Sequence, residues 1–241
     1  MVDQLPSIFD QYKSDINAYL KSGLEQKDDP RLNRYKESLY QILTYGMGWT
    51  DKLGKPVKIS GGKLLRPTLC LFAAEASGGR ADKAIKTAIA LEYIHNFSLF
   101  HDDIQDQDEI RHHRPTVWYV WGEPKAIVAG NVLRSIADVT LTEFLNPNIG
   151  DSDAVMISKT MTTGYLEMIE GQFLDLSYES RHDISVEEYL DMISHKTGAL
   201  IRCSMELGAH IGSGDQRVVK AFRESGRACL LYTSPSPRDR G

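Results

Sequence analysis

Apolar residues recur along this chain at steps of three and four. Ile8, Phe9, Tyr12, Ile16, Tyr19 and Leu20 form one such run, and Leu32, Tyr35, Leu39, Ile42 and Leu43 a second. Side chains at these spacings share one face of a helix, so each run predicts an amphipathic α-helix. Gly46 to Gly62 also holds Gly48, Gly54 and Pro56 and predicts a loop. A helix is expected to open with Pro67 near its first turn, where a missing N–H costs nothing, and to stop at Gly78-Gly79. A long helical stretch follows from Asp82 to about Asp106, with Ala84, Ala88 and Leu91 on its apolar side. Another is predicted from roughly Pro124 to Leu145, ending at Asn146-Pro147. Asp151 or Ser152 is the expected cap of the next, which continues through Tyr165, Met168 and Gln172. Ser185, with Glu188 three residues on, has the form of a cap reciprocated by a glutamate. The helix behind it passes Met192, Lys196 and Leu200 and fades at Gly212-Ser213-Gly214. No stretch of useful length alternates with a period of two, and no internal repeat is present. One all-α domain is the simplest account.

The helical pattern stops at Ala228. Residues 229–241 read Cys-Leu-Leu-Tyr-Thr-Ser-Pro-Ser-Pro-Arg-Asp-Arg-Gly. Cys229 through Asp239 is also an in-frame translation of a string resembling a transposase-type sequencing adapter. We therefore expect a domain over residues 1–228 that is incomplete at its C-terminus, followed by a non-native, disordered tail over 229–241. An uninterrupted genomic reading frame through codon 241 would refute this.

Composition narrows the partners. Of 241 residues, 41% are hydrophobic, enough for a real core, and the net charge is -5 with a pI near 5.8. Lysine and arginine form no basic stripe, which argues against nucleic acid. An anionic substrate then needs local cations. Cys70, Cys203 and Cys229 lie far apart in sequence and form no CxxC pair, so neither a disulfide framework nor a zinc site is expected. The first residues show no secretory signal, and no run reaches the roughly 18 apolar residues of a transmembrane segment. A cytoplasmic protein is the expectation.

The strongest local signal is His101-Asp102-Asp103-Ile104-Gln105-Asp106. Residues four apart on a helix differ by about 40° around its axis, so Asp102 and Asp106 share a face one turn apart. Two carboxylates that close are costly unless a cation bridges them, and oxygen ligands in this arrangement suit Mg²⁺. The bland alternative is a solvated acidic helix end. Against it, the motif follows an apolar helix and precedes a basic cluster, Arg111-His112-His113-Arg114. His95 and Ser98 lie on the same face as Asp102. The second signal is Gly61-Gly62-Lys63-Leu64-Leu65-Arg66-Pro67, where glycines admit close backbone approach and two cations sit at a helix start. Read alone, it is equally a solvated basic helix start. His112 and His113 have no Cys or His neighbours that would complete a metal site. Trp118, Tyr119 and Trp121 are simplest as core or dimer-contact aromatics, and Met156, Met161 and Met168 as packing residues.

Taken together and in this order, six motifs resemble those of the polyprenyl synthetase family, the trans-isoprenyl diphosphate synthases. They are Gly61-Gly62-Lys63-x-x-Arg66-Pro67; the stretch from Leu91 to Asp106; Arg111 to Thr116; Gly130-Asn131; Gly171-Gln172-x-x-Asp175; and Lys196-Thr197-Gly198. The resemblance covers about residues 5 to 228. It implies a bundle of roughly ten helices around a central cavity, here without its last helices, and a homodimer. It also implies that Lys63, Arg66 and His95 hold isopentenyl diphosphate. Asp102 and Asp106 would bind Mg²⁺ with Asp103 in support. Arg111, Lys196 and Thr197 would contact an allylic diphosphate, while Gln172 and Asp175 line the same cavity. The implied reaction is a head-to-tail condensation in which Mg²⁺, lysine and arginine neutralise the leaving diphosphate.

Three departures stand out. His112 replaces a second arginine that helps bind isopentenyl diphosphate, Asn131 replaces an aspartate, and the helix beginning near Phe222 stops before a second acidic motif. Small Ser98 and bulky Phe97, just before the first aspartate, imply a product of fifteen to twenty carbons; core packing is the other reading of Phe97. A non-catalytic subunit of a heteromeric synthase stays open. A class I terpene cyclase fits less well, because it needs no site of the Lys63 and Arg66 type.

Overall fold

The computed structural model describes residues 8–24, 33–57, 62–145 and 150–233. Leu32, Gly61, Asn146, Pro147 and the tail from residue 234 onward lie outside them. The described residues are almost wholly helical. In order they form α1 (Ile8–Gln11), α2 (Lys13–Leu24), α3 (Asn33–Gly46), α4 (Leu65–Ala76) and α5 (Ala81–Gln105). A small antiparallel hairpin follows, β1 (Ile110–Arg111) with β2 (Arg114–Pro115). Then come α6 (Val117–Trp121), α7 (Glu123–Leu145), α8 (Asp151–Tyr178), α9 (Val186–Ile193), a widened π turn (Ser194–Gly198), α10 (Ala199–Gly212) and α11 (Gln216–Thr233). The all-α expectation holds, and the long stretch read from Asp82 is α5.

Three local expectations change. The cap of α8 is Gly150, whose extended backbone precedes the helix without a side-chain bond, so neither Asp151 nor Ser152 takes that place. The run through Met192, Lys196 and Leu200 is interrupted by the π turn. Helix α11 continues to Thr233, five residues past Ala228. Leucines and a tyrosine in that segment, Leu230, Leu231 and Tyr232, are compatible with helix whatever their origin.

The fold divides into two compact units. The first comprises Met1–Leu65 and Glu92–Glu143. Its core contains Ile16 and Leu20 of α2, Leu43 of α3, Tyr93 and Ile94 of α5, and Leu133 of α7, each at most 1% exposed. The buried Tyr93 hydroxyl donates to the Leu20 carbonyl at 2.6 Å, which removes the cost of burying it.

The second unit comprises Arg66–Leu91 and Phe144–Gly241. Cys70 and Leu71 of α4, Ala84 and Ala88 of α5, Ile157 and Met161 of α8 and Leu200 and Leu207 of α10 are buried there. Met156 departs from the packing role read for it and is 44% exposed. Gly208 fixes how closely α4 and α10 cross, because a Cβ there would fall under 3 Å from the Cys70 carbonyl. Helix α9 starts as read: Ser185 accepts from the Glu188 amide at 3.1 Å and the Glu188 carboxylate accepts from the Ser185 amide at 2.9 Å.

Candidate active site

The acidic motif closes α5 within the first unit. The Asp106 amide donates to the Asp102 carbonyl at 2.8 Å, so the helical turn continues and the two aspartates stand one turn apart. Asp106 is exposed, Asp102 half-buried and Asp103 buried. Arg111 is turned back onto this end of the helix. Its Nε donates to Asp103 Oδ1, while one terminal nitrogen lies 3.6 Å from Asp102 and 3.7 Å from Asp108. Burial pushes the Asp103 carboxyl up to about 6. The Arg111 guanidinium opposes that rise, and the neighbouring Asp102 and Asp108 charges add to it.

The hairpin explains how Arg111 arrives there. His112 and His113 occupy its two-residue turn with φ of 49° and 62°. Positive φ at both positions gives the turn whose twist matches antiparallel strands, a role that Asn-Gly usually fills. The hairpin is then anchored from behind. The Tyr45 hydroxyl donates to the Pro115 carbonyl at 2.7 Å, and the Arg114 guanidinium lies 4.3 Å over the Tyr45 ring and donates to the Thr50 carbonyl at 2.6 Å. Trp121 packs edge-on to Tyr45 with ring centroids 4.8 Å apart. Thr116 Oγ1 and Trp118 Nε1 both donate to the Asp108 carbonyl, at 2.8 and 2.9 Å.

Asp108 was not singled out from sequence, and Arg114 only as the end of the basic cluster, without its anchoring role. The Asp106-Gln107-Asp108 spacing was the signal for the first; nothing local marks the Tyr45 and Thr50 contacts of the second.

Other residues of the first unit read from sequence are placed as follows. His95 is half-buried on α5, and its carbonyl accepts from Ser98 Oγ at 2.8 Å. Phe97 is half-buried with its ring edge-on to His101, 4.9 Å between centroids. Gly130 backs the His101 imidazole, and Asn131 beside it is exposed. Lys63 is exposed ahead of α4, next to Leu64 at φ 48°, and His112 is exposed at the hairpin tip.

In the second unit Arg66 is half-buried in the first turn of α4. Gln172 Nε2 is buried and has no hydrogen-bond partner among the described residues, a donor of the kind a ligand oxygen satisfies. Lys196 Nζ forms an ion pair with Asp175, and Thr197 is half-buried beside it on the π turn. Gly171 seats this turn, since a Cβ there would lie under 3 Å from the Lys196 amide nitrogen.

The donor set fits a hard divalent cation. Among the described residues no three histidine, cysteine or carboxylate side chains form a ready metal cage. Asp102 and Asp106 instead offer carboxylate oxygens one turn apart, and Mg²⁺ is commonly held by one or two carboxylates with water and phosphate oxygens completing its shell. Among the described residues no helix is long and apolar enough to cross a membrane.

Comparison with known proteins bears on the family. The family model described as polyprenyl synthetase matches residues 49–232. The chain is 38% identical over 195 residues to a (2E,6E)-farnesyl diphosphate synthase of Mycobacterium tuberculosis, covering 81% of this chain and 53% of that protein. It is 42% identical over 225 residues to a geranylgeranyl diphosphate synthase of Saccharolobus solfataricus, covering 93% of this chain and 61% of the other. Among solved structures, a polyprenyl synthetase from Streptomyces coelicolor superposes with a TM-score of 0.83 at 33% identity, covering 95% of this chain and 64% of that one. The chain thus spans about half to two thirds of the length of these relatives. On the extent of these matches, the chain belongs to the polyprenyl synthetase family.

Proposed function

We propose that the chain is part of a trans-prenyltransferase that joins isopentenyl diphosphate head-to-tail to an allylic diphosphate, giving a short-chain product of fifteen to twenty carbons. The reading rests on one arrangement: Asp102 and Asp106 a turn apart at the end of α5, with the Arg111 guanidinium folded back onto Asp103 between them and 3.6 Å from Asp102. Relatives named farnesyl and geranylgeranyl diphosphate synthases support it.

Asp102 and Asp106 hold Mg²⁺, which supplies positive charge beside the leaving diphosphate. Arg111, Lys196 and Thr197 bind the allylic diphosphate, and Gln172 Nε2 donates to a ligand oxygen with Asp175 beside it. These donors neutralise charge as the allylic C–O bond breaks, which is where fixed positive groups lower the barrier most. Lys63, Arg66 and His95, with His112 close by in the motif order, hold isopentenyl diphosphate so that its terminal double bond faces the allylic carbon. A carbon–carbon bond forms there as the allylic C–O bond breaks and pyrophosphate leaves. The positive charge passes to the methyl-bearing branch carbon, and the CH2 beside it gives up a proton to the released pyrophosphate, which makes the new double bond. The active species is a homodimer in the cytoplasm.

The test is to incubate the chain, and in parallel the product of the complete gene, with Mg²⁺, isopentenyl diphosphate and allylic primers of increasing length. We expect a Mg²⁺-dependent fifteen- to twenty-carbon diphosphate, reduced at least about a hundredfold by Asp102→Asn. Absence of condensation from both proteins would end this reading. Phe97→Ala is expected to lengthen the product; an unchanged product profile assigns Phe97 to packing alone.

A further inference from the structure

Helix α8 meets the π turn through three residues spaced four apart, Glu167, Gly171 and Asp175, which therefore share one face. Asp175 takes Lys196, Gly171 seats the turn's backbone, and Glu167 takes Arg202 of α10. Arg202 makes more than an ion pair. One terminal nitrogen donates to Glu167 Oε2 at 2.6 Å, and the other donates to the Ser194 carbonyl at 2.9 Å and to Ser194 Oγ at 3.1 Å. Its side chain is 13% exposed. A widened turn takes carbonyls off the regular helical ladder, and such turns persist only where other groups satisfy them. The planar guanidinium reaches the first residue of the turn and the neighbouring helix at once, which a lysine cannot do.

We infer that Arg202, backed by Glu167, is a positioning residue: it braces the π turn from its N-terminal end and so fixes the register in which Lys196 and Thr197 are presented. The inference rests on the proposed role of Lys196 and Thr197 as diphosphate contacts. Arg202 itself touches no substrate in this account. Its removal lets Ser194–Gly198 relax toward a regular helix, and one residue of register turns a helix by about 100°.

The test uses two readouts on the chain: hydrogen exchange at the amides of residues 195–199, and calorimetric affinity for inorganic pyrophosphate with Mg²⁺. For Arg202→Met we expect exchange in the turn to rise about tenfold or more, exchange within α5 to stay unchanged, and pyrophosphate affinity to fall about tenfold. Arg202→Lys, which keeps the charge, is expected to behave in the same direction with smaller effect, and serves if the methionine variant does not fold. The charge-swapped pair Glu167→Arg with Arg202→Glu restores an ion pair but no donor to the Ser194 carbonyl, so it should rescue neither readout. Unchanged exchange in the Arg202 variants, or full rescue by the swap, would overturn the inference. Failure of the wild-type chain to bind pyrophosphate would instead refute the role given to Lys196 and Thr197, while the exchange data still judge the brace.

Discussion

Asp103 carries a pH dependence with a definite sign. Its carboxyl sits at about 6 in the folded chain because burial disfavours the charge more than Arg111 favours it. An unfolded aspartate titrates near ~4, so between these values the native state holds the extra proton. The stability this group contributes is present below about 4 and is lost as pH rises through about 6. With chelator present, urea titrations from pH 4 to 7 should show a steeper fall for the wild type than for Asp103→Asn; parallel curves would contradict the assignment. The hairpin tip offers a second test. His112 and His113 hold a left-handed backbone that costs most side chains about 1 kcal/mol each. Replacing them by Asn and Gly should stabilise the chain by about 1 kcal/mol, visible as a higher melting temperature. The Asp102 and Asp106 pairing was readable in advance, since it depends only on helical period. The partners of Arg111 were not, because they depend on a turn that two histidines rarely make.

Among the elements, α9 has the clearest local cause. Ser185→Ala should cost about 1 kcal/mol, with faster exchange at the first amides of α9. The Ser185 amide and Arg181 hold the Glu188 carboxyl below its ordinary range. The contribution of that reciprocal bond is present above the ordinary glutamate range and disappears as pH falls through the lowered value. Ser185, Val186 and Glu188 announced this start because a capping box is written in four consecutive residues. The π turn was not announced: Ser194-His195-Lys196-Thr197-Gly198 has ordinary helical spacing, and its widening depends on Gly171 and Arg202, distant in sequence. Gly208 likewise gives no local sign of its neighbour, although Gly208→Val should destabilise by more than about 2 kcal/mol by forcing α4 off α10.

At the scale of the whole molecule, the apolar side chains left outside matter most. Ile127, Val128 and Val139 of α7 are 44–57% exposed, and on α8 Val155, Leu166, Ile169 and Phe173 are 43–70% exposed. Such faces usually meet a partner, and a second copy of the chain is the partner proposed above. Phe173→Glu should then shift the mass measured by light scattering from dimer to monomer; a monomeric wild type would refute the proposal. Helix class and family were readable from periodicity and ordered motifs, whereas the division into two units was not, because it depends on contacts rather than on any break in composition. The Tyr45 anchor has one last consequence. Trp121 lies against that ring, and the ring in turn holds the strand pair bearing Arg111. A shift of the strand pair as Arg111 meets a phosphate group is therefore expected to reach an indole, whose emission colour and intensity report on its surroundings. Titrating pyrophosphate while watching tryptophan light would read occupancy without any label; the expected change is one that Trp121→Phe diminishes while Trp49 and Trp118 still emit, and a change left whole in that variant would contradict it.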